Sequence, residues 1–192
     1  MSRIALFAYG SLVNPASAAI TLGRPVELAA TASLAGWRRR WSVARDNHRS
    51  EKTFARARDG RLPDWCLGLN LEPGGDGEGG PNGALIEVTE ADLARLDGRE
   101  LRYVRADVTE AIEPEEYARV IAYVARPEHH HPEPPPNAVV IGTYLRTVED
   151  AFERLGPGQL ERFRETTGPP PVEVIEARLV RDEIPPGNPR EW

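Results

Sequence analysis

Two short stretches, far apart in the sequence, carry residue types that could form one site. The first is Phe7-Ala8-Tyr9-Gly10-Ser11-Leu12, where a glycine-containing turn offers backbone N–H groups to a ligand. The second is Leu96-Asp97-Gly98-Arg99-Glu100-Leu101-Arg102-Tyr103-Val104-Arg105, which places Glu100 at a helix-to-strand junction. A carboxylate held against a ligand can take up and return a proton. The two stretches therefore predict a two-part site that binds a small molecule and moves protons.

Length, composition and charge limit the kinds of protein this chain can be. With 192 residues, 40% of them hydrophobic, we expect a single domain over residues 1–192. The net charge of −6 argues against nucleic acid or an anionic membrane as a partner and favours a small neutral or zwitterionic molecule. No stretch approaches the roughly 18 apolar residues of a membrane-spanning helix, and the apolar N-terminal run is interrupted too early for a signal peptide. We therefore expect a cytoplasmic protein, either a monomer or a homodimer.

Three other groups of reactive side chains are interpreted as structural. Cys66 is the only cysteine, and its place in an alternating strand indicates packing in the core. His129, His130 and His131 are adjacent in a proline-rich loop, so their side chains are expected to point in different directions. No cysteine or acidic residue lies at the spacing of a metal ligand, so no metal site is expected. Ser11 does not lie in a G-x-S-x-G turn, which argues against a serine hydrolase.

A basic run, Trp37-Arg38-Arg39-Arg40-Trp41, allows two interpretations. Charge together with aromatic stacking would suit a nucleic acid. The acidic net charge instead favours a solvent-exposed strand face whose arginine stems lie along apolar surface. We prefer the second interpretation.

Hydrophobic patterning predicts mostly strands in the first half of the chain. Period-two alternation over 64–71 is the firmest of these signals. Asn14-Pro15 is typical of a helix start, and Gly23 of its end. The stretch 46–61 is polar and is predicted to be irregular. Further strands are predicted at 3–8, on both sides of Gly36 within 26–43, and at 84–88.

The second half of the chain contains the longer predicted helices. Thr89 begins a capping-box variant that opens a short helix ending at Leu96. Two connections, near 73–82 and 127–137, are rich in glycine or proline and are predicted to be flexible loops. Further helices are predicted at 144–155 and 159–166, and strands at 102–112, 119–126 and 172–180. Strands that outnumber helices without regular alternation indicate an α+β fold with a strongly curved or barrel-like mixed sheet.

Four motifs occur in a fixed order along nearly the whole chain. They are Phe7-Ala8-Tyr9-Gly10-Ser11-Leu12, Gly83-Ala84-Leu85, Leu96-Asp97-x-x-Glu100-x-x-Tyr103-x-Arg105, and Thr143-Tyr144-Leu145-x-x-Val148. Their order and approximate spacing resemble the γ-glutamylcyclotransferase-like family. The resemblance implies an α+β fold with a small mixed β-barrel flanked by helices.

The same resemblance implies roles for particular residues. The loop 9–12 and Glu100 would face one cavity, with the loop amides holding the glutamyl part of the substrate and Glu100 acting as acid and base. No cofactor and no metal are implied. The candidate substrate-binding residues are Tyr9, Gly10, Ser11, Leu12, Tyr103 and Tyr144.

The implied reaction is an intramolecular ring closure. A γ-glutamyl amide carries an α-amine that can attack its own γ-carbonyl, which forms 5-oxoproline and releases an amine or amino acid. One carboxylate between the two nitrogens can serve both proton transfers. Two alternatives stay open: a non-catalytic module that keeps the same ligand pocket, because fold does not fix function, and an interaction role for residues 38–40.

Overall fold

The structure is a computed structural model that describes residues 3–74, 79–112 and 117–184. Within these ranges it has four α-helices and eleven strands, which confirms the predicted α+β class. The strands are β1 Ile4–Ala8, β2 Ala30–Ser33, β3 Trp37–Asp46, β4 Lys52–Arg56, β5 Trp65–Pro73, β6 Asn82–Val88, β7 Tyr103–Asp107, β8 Arg119–Ala125, β9 Ala138–Ile141, β10 Val174–Ile175 and β11 Ala177–Asp182. The helices are α1 Pro15–Leu22, α2 Glu90–Arg99, α3 Gly142–Arg154 and α4 Gln159–Thr167, with 3-10 turns at Ser11–Val13, Thr109–Ala111 and Pro127–His129.

The strands form three sheets rather than a barrel, and none of the three closes on itself within the described residues. The largest has the order β2-β6-β1-β8-β7, the second β10-β9-β5-β3, and the third β11-β4. Strand β1 lies in the middle of the largest sheet, antiparallel to β6 and parallel to β8. The carboxyl end of β1, where the following loop begins, therefore lies between β6 on one side and β8 on the other.

Strand β1 is buried on both faces, as expected for a central strand. Leu6 and Phe7 are each 1% exposed, and burying a side chain of this kind stabilises the fold by about 1.5–3 kcal/mol. The neighbouring strand β6 needs glycine at Gly83, because a Cβ there would lie 2.3 Å from the carbonyl oxygen of Ala8. The close packing of these two strands explains why position 83 is a glycine.

Local sequence signals set the ends of the first two helices. The Asn14 side chain accepts a hydrogen bond from the Ala16 amide at 2.9 Å, and Gly23 ends α1 in the left-handed conformation at φ 66°. Helix α2 begins with a complete capping box between Thr89 and Asp92. It continues past the predicted end at Leu96 to Arg99, so that Glu100 is its C-cap.

Two sequence predictions of secondary structure were wrong in part. The stretch 46–61, predicted to be irregular, contains β4, and the predicted strand at 172–180 is divided into β10 and β11. Strand β10 pairs in parallel with β9, whereas β11 pairs antiparallel with β4. Pairing between segments that are distant in the sequence stabilises these strands, and a polar local pattern gives no sign of it.

Only part of the two predicted flexible connections can be described. Of residues 73–82, positions 75–78 lie outside the described residues, and β6 begins at Asn82, earlier than predicted. In 127–137, the ring of His130 contacts Glu72 at 3.0 Å, while the His131 amide donates to the Ser42 carbonyl at 2.7 Å. Neighbouring histidines thus have different partners. The flexibility of both connections stays a prediction.

The four α-helices are between 8 and 13 residues long. Over the described parts of the chain, none of them combines the length and the apolar character needed to cross a bilayer.

Candidate active site

A cavity of about 60 Å³ lies at the carboxyl end of β1, and we call it the inner cavity. The structure brings Glu100 and all six candidate substrate-binding residues to this cavity, although they come from three separate regions of the chain. The lining residues are Leu6, Phe7, Ala8, Tyr9, Gly10, Ser11, Leu12, Leu69, Glu100, Tyr103, Tyr123 and Tyr144.

The loop after β1 turns directly into helical structure. Residues Ser11–Val13 form a 3-10 turn, closed by a hydrogen bond from the Val13 amide to the Gly10 carbonyl at 3.0 Å, and α1 follows at once. Amides at the start of a helix have no acceptor within that helix, so they can serve a ligand. At Gly10 a Cβ would meet its nearest neighbour, the Tyr144 hydroxyl, at 3.6 Å, so the missing side chain leaves space beside the loop.

Glu100 enters the inner cavity from the end of α2. Its amide donates to the Leu96 carbonyl at 2.8 Å, and its own carbonyl accepts from the Tyr103 amide at 2.9 Å. These two bonds fix the backbone on both sides of the helix end. The side chain is 16% exposed, and one carboxylate oxygen lies 3.0 Å from the Nε of Arg99. Glu100 is therefore a mostly buried carboxylate with one oxygen already paired.

Arg99 connects the carboxylate to the loop, a role that the sequence analysis missed. It is 3% exposed, and its Nη2 donates to the hydroxyls of Ser11 and Ser17, each at 3.2 Å. Its Nη1 donates to the Thr21 hydroxyl at 2.5 Å. One guanidinium thus joins Glu100, the loop after β1 and helix α1. The available signal was helical spacing, because Arg99 continues the buried face of α2 through Leu93 and Leu96.

The tyrosines at the inner cavity are positioned by a bulge between β3 and β5. The register shifts between Arg40 and Val43, so that two residues of β3 lie opposite Leu69 alone. The backbone groups of Leu69 form hydrogen bonds with two of the tyrosines. The Tyr103 hydroxyl donates to the Leu69 carbonyl at 2.8 Å, and the Tyr144 hydroxyl bonds to the Leu69 backbone as well.

The hydroxyls of Tyr9 and Tyr144 remain protonated at neutral pH. Burial raises the pKa of Tyr144 to about 12. Burial, with Tyr103 and Glu100 nearby, holds the pKa of Tyr9 well above its ordinary value. The Tyr9 hydroxyl also donates to the Tyr123 carbonyl at 2.5 Å. Tyr9 and Tyr144 therefore shape the cavity as neutral hydroxyls, and Glu100 is the carboxylate among its lining residues.

The interpretation of residues 38–40 as an exposed strand face is wrong for Arg39. The side chains of Arg38 and Arg40 are 51% and 40% exposed, whereas Arg39 is 1% exposed. Its Nη1 donates to the Asn82 carbonyl at 2.7 Å and to the Tyr9 carbonyl at 3.2 Å. Burial lowers the pKa of Arg39 to about 9, so the guanidinium stays charged at neutral pH. Arg39 thus fixes the Tyr9 carbonyl, next to Gly10, without itself lining the inner cavity.

Comparison with known proteins identifies the fold. No protein-family model and no curated protein sequence matches the chain. A solved structure named gamma-glutamyl cyclotransferase superposes with a TM-score of 0.59 at 14% identity, over 88% of this chain and 89% of that one. The chain has a γ-glutamyl cyclotransferase-like fold. A structure of an uncharacterized protein from Homo sapiens superposes with a TM-score of 0.60 at 13% identity, over 88% and 90% of the two chains.

At these identities the likeness shows the fold alone. Support for an activity of this γ-glutamyl cyclotransferase-like chain therefore comes from the residues of its site. Among the residues that the structure describes, no group of three or more His, Cys, Asp or Glu side chains could hold a metal ion.

A second and larger cavity adjoins the first in this γ-glutamyl cyclotransferase-like fold, and we call it the outer cavity. Its volume is about 470 Å³, and the two cavities share Ser11, Glu100, Tyr103 and Tyr144. Its remaining lining residues are Val43, Arg45, Glu51, Lys52, Phe54, Cys66, Leu67, Gly68, Arg99, Arg102, Ile141, Thr143, Thr147, Ala177 and Leu179. The volume lies within the range of about 300–1,000 Å³ that is typical of small-molecule sites.

Proposed function

We propose that the protein is a γ-glutamyl cyclotransferase, which converts a γ-glutamyl amide into 5-oxoproline and a free amine or amino acid. One observation carries the proposal: Glu100 and the loop 9–12 line the same inner cavity. The fold is consistent with it. A carboxylate and a set of backbone donors at one small cavity are the two parts that this ring closure needs.

The ring closure proceeds by addition and elimination. The α-amine of the glutamyl group attacks its own γ-carbonyl carbon, so that a carbon–nitrogen bond forms while Glu100 takes the amine proton. The negative charge that develops on the carbonyl oxygen is met by hydrogen-bond donors. The original amide bond then breaks, and Glu100 returns the proton to the departing nitrogen. Atoms and charges balance without a cofactor.

Much of the acceleration comes from folding the substrate. The nucleophile and the carbonyl belong to one molecule, so binding it in a ring-closing conformation supplies proximity. The amides of Gly10, Ser11 and Leu12 are the proposed donors for the glutamyl part. Donors fixed in place before the reaction need no reorganisation as charge develops. Arg99 supports this arrangement by holding both Ser11 and Glu100.

The test is a search for 5-oxoproline. The protein is incubated with a panel of γ-glutamyl amino acids, dipeptides and amines, and the product is quantified by mass spectrometry against the spontaneous reaction. Enzyme-dependent formation of 5-oxoproline from at least one compound supports the proposal. Saturable binding of the same compounds without any product would assign the site to a non-catalytic binding module instead.

A further inference from the structure

The outer cavity is lined by apolar side chains from two sheets. Strands β3, β5 and β9 of the second sheet contribute to it, and so do β4 and β11 of the third. The aliphatic and phenyl side chains in the lining are Val43, Phe54, Leu67, Ile141, Ala177 and Leu179. Leu179 is 43% exposed, although it is a large apolar residue. A ligand that covered these side chains with apolar groups of its own would remove apolar surface from water, which favours binding.

A glycine in β5 adds space to this cavity. Gly68 lies inside the strand, where a glycine often marks the close approach of a ligand or of another backbone. A Cβ at this position would lie 3.4 Å from the Tyr103 hydroxyl and 4.0 Å from the Cβ of Val43, which are ordinary contact distances. Packing within the protein therefore does not by itself require a glycine here. The space beside Gly68 is available to a ligand.

The charged side chains in the lining have partners within the protein. Arg102 pairs with Glu51 at 2.5 Å, Arg99 with Glu100 at 3.0 Å, and Lys52 with Asp182 at 3.9 Å. Arg45 donates to the Lys52 carbonyl and, at 2.7 Å, to the Ser50 hydroxyl, while its guanidinium lies over the Phe54 ring. A charged ligand group would have to compete with these partners. Selection among ligands therefore depends on the shape and the apolar walls of the cavity.

The position of Glu100 connects the two cavities. Glu100 lines both, whereas Gly10 and Leu12 of the proposed glutamyl-binding loop line the inner cavity only. In the proposed reaction Glu100 returns a proton to the departing nitrogen. The group bonded to that nitrogen therefore extends away from the loop, past Glu100 and into the outer cavity.

We propose that the outer cavity binds the leaving half of the substrate, and that this half carries a bulky apolar side chain of the size of leucine or phenylalanine. The inference rests on the proposed function for its orientation, because the glutamyl half occupies the inner cavity. It makes Leu179 a specificity-determining residue. Polar leaving groups are disfavoured, because a polar group buried against apolar walls without a partner costs free energy.

The first measurement compares substrates that differ only in the side chain of the leaving half. Leucine and asparagine have nearly the same shape, so γ-glutamylleucine and γ-glutamylasparagine test polarity, while γ-glutamylalanine tests size. We expect kcat/KM for 5-oxoproline formation to be at least about 10-fold higher for γ-glutamylleucine than for either of the others. Equal values for the three compounds, or a preference for the asparagine compound, would overturn the proposal.

The second measurement places the preference in the outer cavity. Leu179→Ser should lower the ratio of kcat/KM between γ-glutamylleucine and γ-glutamylalanine by at least about fourfold, the value of one lost methylene contact. The rate with γ-glutamylalanine should stay nearly unchanged. Val180→Ser is the matched control, because Val180 is the next residue of β11 and is 54% exposed but does not line the cavity. Both positions are exposed, so melting temperatures should change little. Equal effects of the two substitutions would contradict the assignment.

A binding experiment separates this inference from the proposed reaction. Protein with the Glu100→Gln substitution, in which turnover is suppressed, is titrated with the leucine and asparagine compounds by calorimetry. We expect the leucine compound to bind at least about 10-fold more tightly, and Leu179→Ser in the same background to reduce this difference. If no compound yields 5-oxoproline but this preference is observed, the proposed reaction fails while the apolar assignment of the outer cavity holds. If 5-oxoproline forms equally well from all three compounds, the reaction holds and the apolar assignment fails.

Discussion

Glu100 owes its position to the end of one helix and to the residue before it. Helix α2 ends at Arg99, and the Arg99 side chain pairs with one carboxylate oxygen of Glu100. In the proposed function, the other oxygen faces the substrate. In a ring closure, a single oxygen that takes and returns a proton is sufficient.

The first residue-scale prediction concerns the proton transfer. Glu100→Gln should lower the rate of 5-oxoproline formation by about 10²- to 10⁴-fold, the usual loss when an acid–base group is removed. The amide is nearly isosteric and can still accept from Arg99, so the melting temperature should change little. The measurements are initial rates by mass spectrometry and thermal unfolding. Full activity in the substituted protein would exclude Glu100 from the reaction.

The second residue-scale prediction concerns the loop after β1. Gly10→Val should weaken ligand binding, because the side chain would fill the space between the loop and Tyr144. A Cβ at Gly10 makes only ordinary contacts, at 3.6 Å to Tyr144 and 3.8 Å to Leu69, so stability should suffer much less than affinity. Gly10→Ala should give an intermediate effect. Calorimetric titration and melting curves would decide, and a large loss of stability with unchanged affinity would contradict the prediction.

The sequence predicted some residues of this site and missed others for a physical reason. The loop 9–12 and Glu100 were found because glycine turns and helix ends have local signatures. Arg39 and Arg99, which hold the loop 9–12 and Glu100 in place, were not found, because exposure and burial of a basic side chain depend on partners distant in the sequence. For Arg39, for example, the partners are a loop, a strand and a helix from three other regions of the chain.

At the scale of elements, β3 connects the site to the late helices. The rings of Phe152 and Phe163 are stacked with their centroids 4.6 Å apart, and the Arg39 guanidinium lies against both, 4.9 and 4.4 Å from these centroids. Its Nε donates to the Thr167 hydroxyl at 2.7 Å. Helices α3 and α4 are thereby held against β3, and the same side chain reaches the Tyr9 carbonyl. The late helices thus contribute to the position of the loop without lining the inner cavity beyond Tyr144.

The element-scale prediction compares two neighbouring arginines. Arg39→Leu should lower the free energy of unfolding by about 2–4 kcal/mol, because the carbonyls of Tyr9 and Asn82 lose their donor and a buried acceptor without a partner costs about 1–3 kcal/mol. Arg38→Leu, at an exposed position on the same strand, should change it by less than about 0.5 kcal/mol. Urea unfolding measures both. Equal effects would show that burial of Arg39 contributes nothing.

The sequence predicted the elements unevenly. Strands and helices with a strong period, such as β5 and α3, were predicted close to their observed bounds. Strand β4 was not predicted, and β11 was predicted only as part of one longer strand at 172–180. These two strands form a sheet of their own, so each is stabilised mainly by pairing with the other. These two strands contribute Lys52, Phe54, Ala177 and Leu179 to the outer cavity. Part of the wall of the outer cavity was therefore formed by strands that sequence patterns did not reveal in full.

At the scale of the whole molecule, Glu72 joins the connection 127–137 to the sheets. Its carboxylate accepts from Ser42 at 2.6 Å and from His130 at 3.0 Å, and Arg38 and Arg40 lie within 3.5 Å. Burial by itself raises the pKa of Glu72, but the hydrogen bonds from Ser42 and His130 outweigh it, so the pKa lies below its ordinary value of 4.5. The ionised form therefore stabilises the folded protein.

The whole-molecule prediction follows from the sign of this shift. A carboxyl group whose pKa is lower in the folded protein than in the unfolded protein stabilises the fold at pH values above its unfolded-state pKa. This stabilisation is lost as the pH falls through its folded-state pKa. Glu72→Gln should therefore lower the melting temperature at pH 6–7, and the difference from the original protein should shrink as pH falls below about 4.5. Melting curves from pH 3 to 7 measure it. A difference that stays constant over this range would contradict the prediction.

The central place of β1 has a consequence for how the protein is made. Its hydrogen-bond partners, β6 and β8, are synthesised much later, and at ribosomal speeds of about 5–20 residues per second the wait for β8 is on the order of ten seconds. Both edges of this apolar strand are unpaired until β6 has been made, and one edge stays unpaired until β8 follows, a condition that favours aggregation. We therefore expect the nascent chain to need a chaperone until Ala125 has emerged, because the strand that leads into the loop 9–12 is made well before both of its partners.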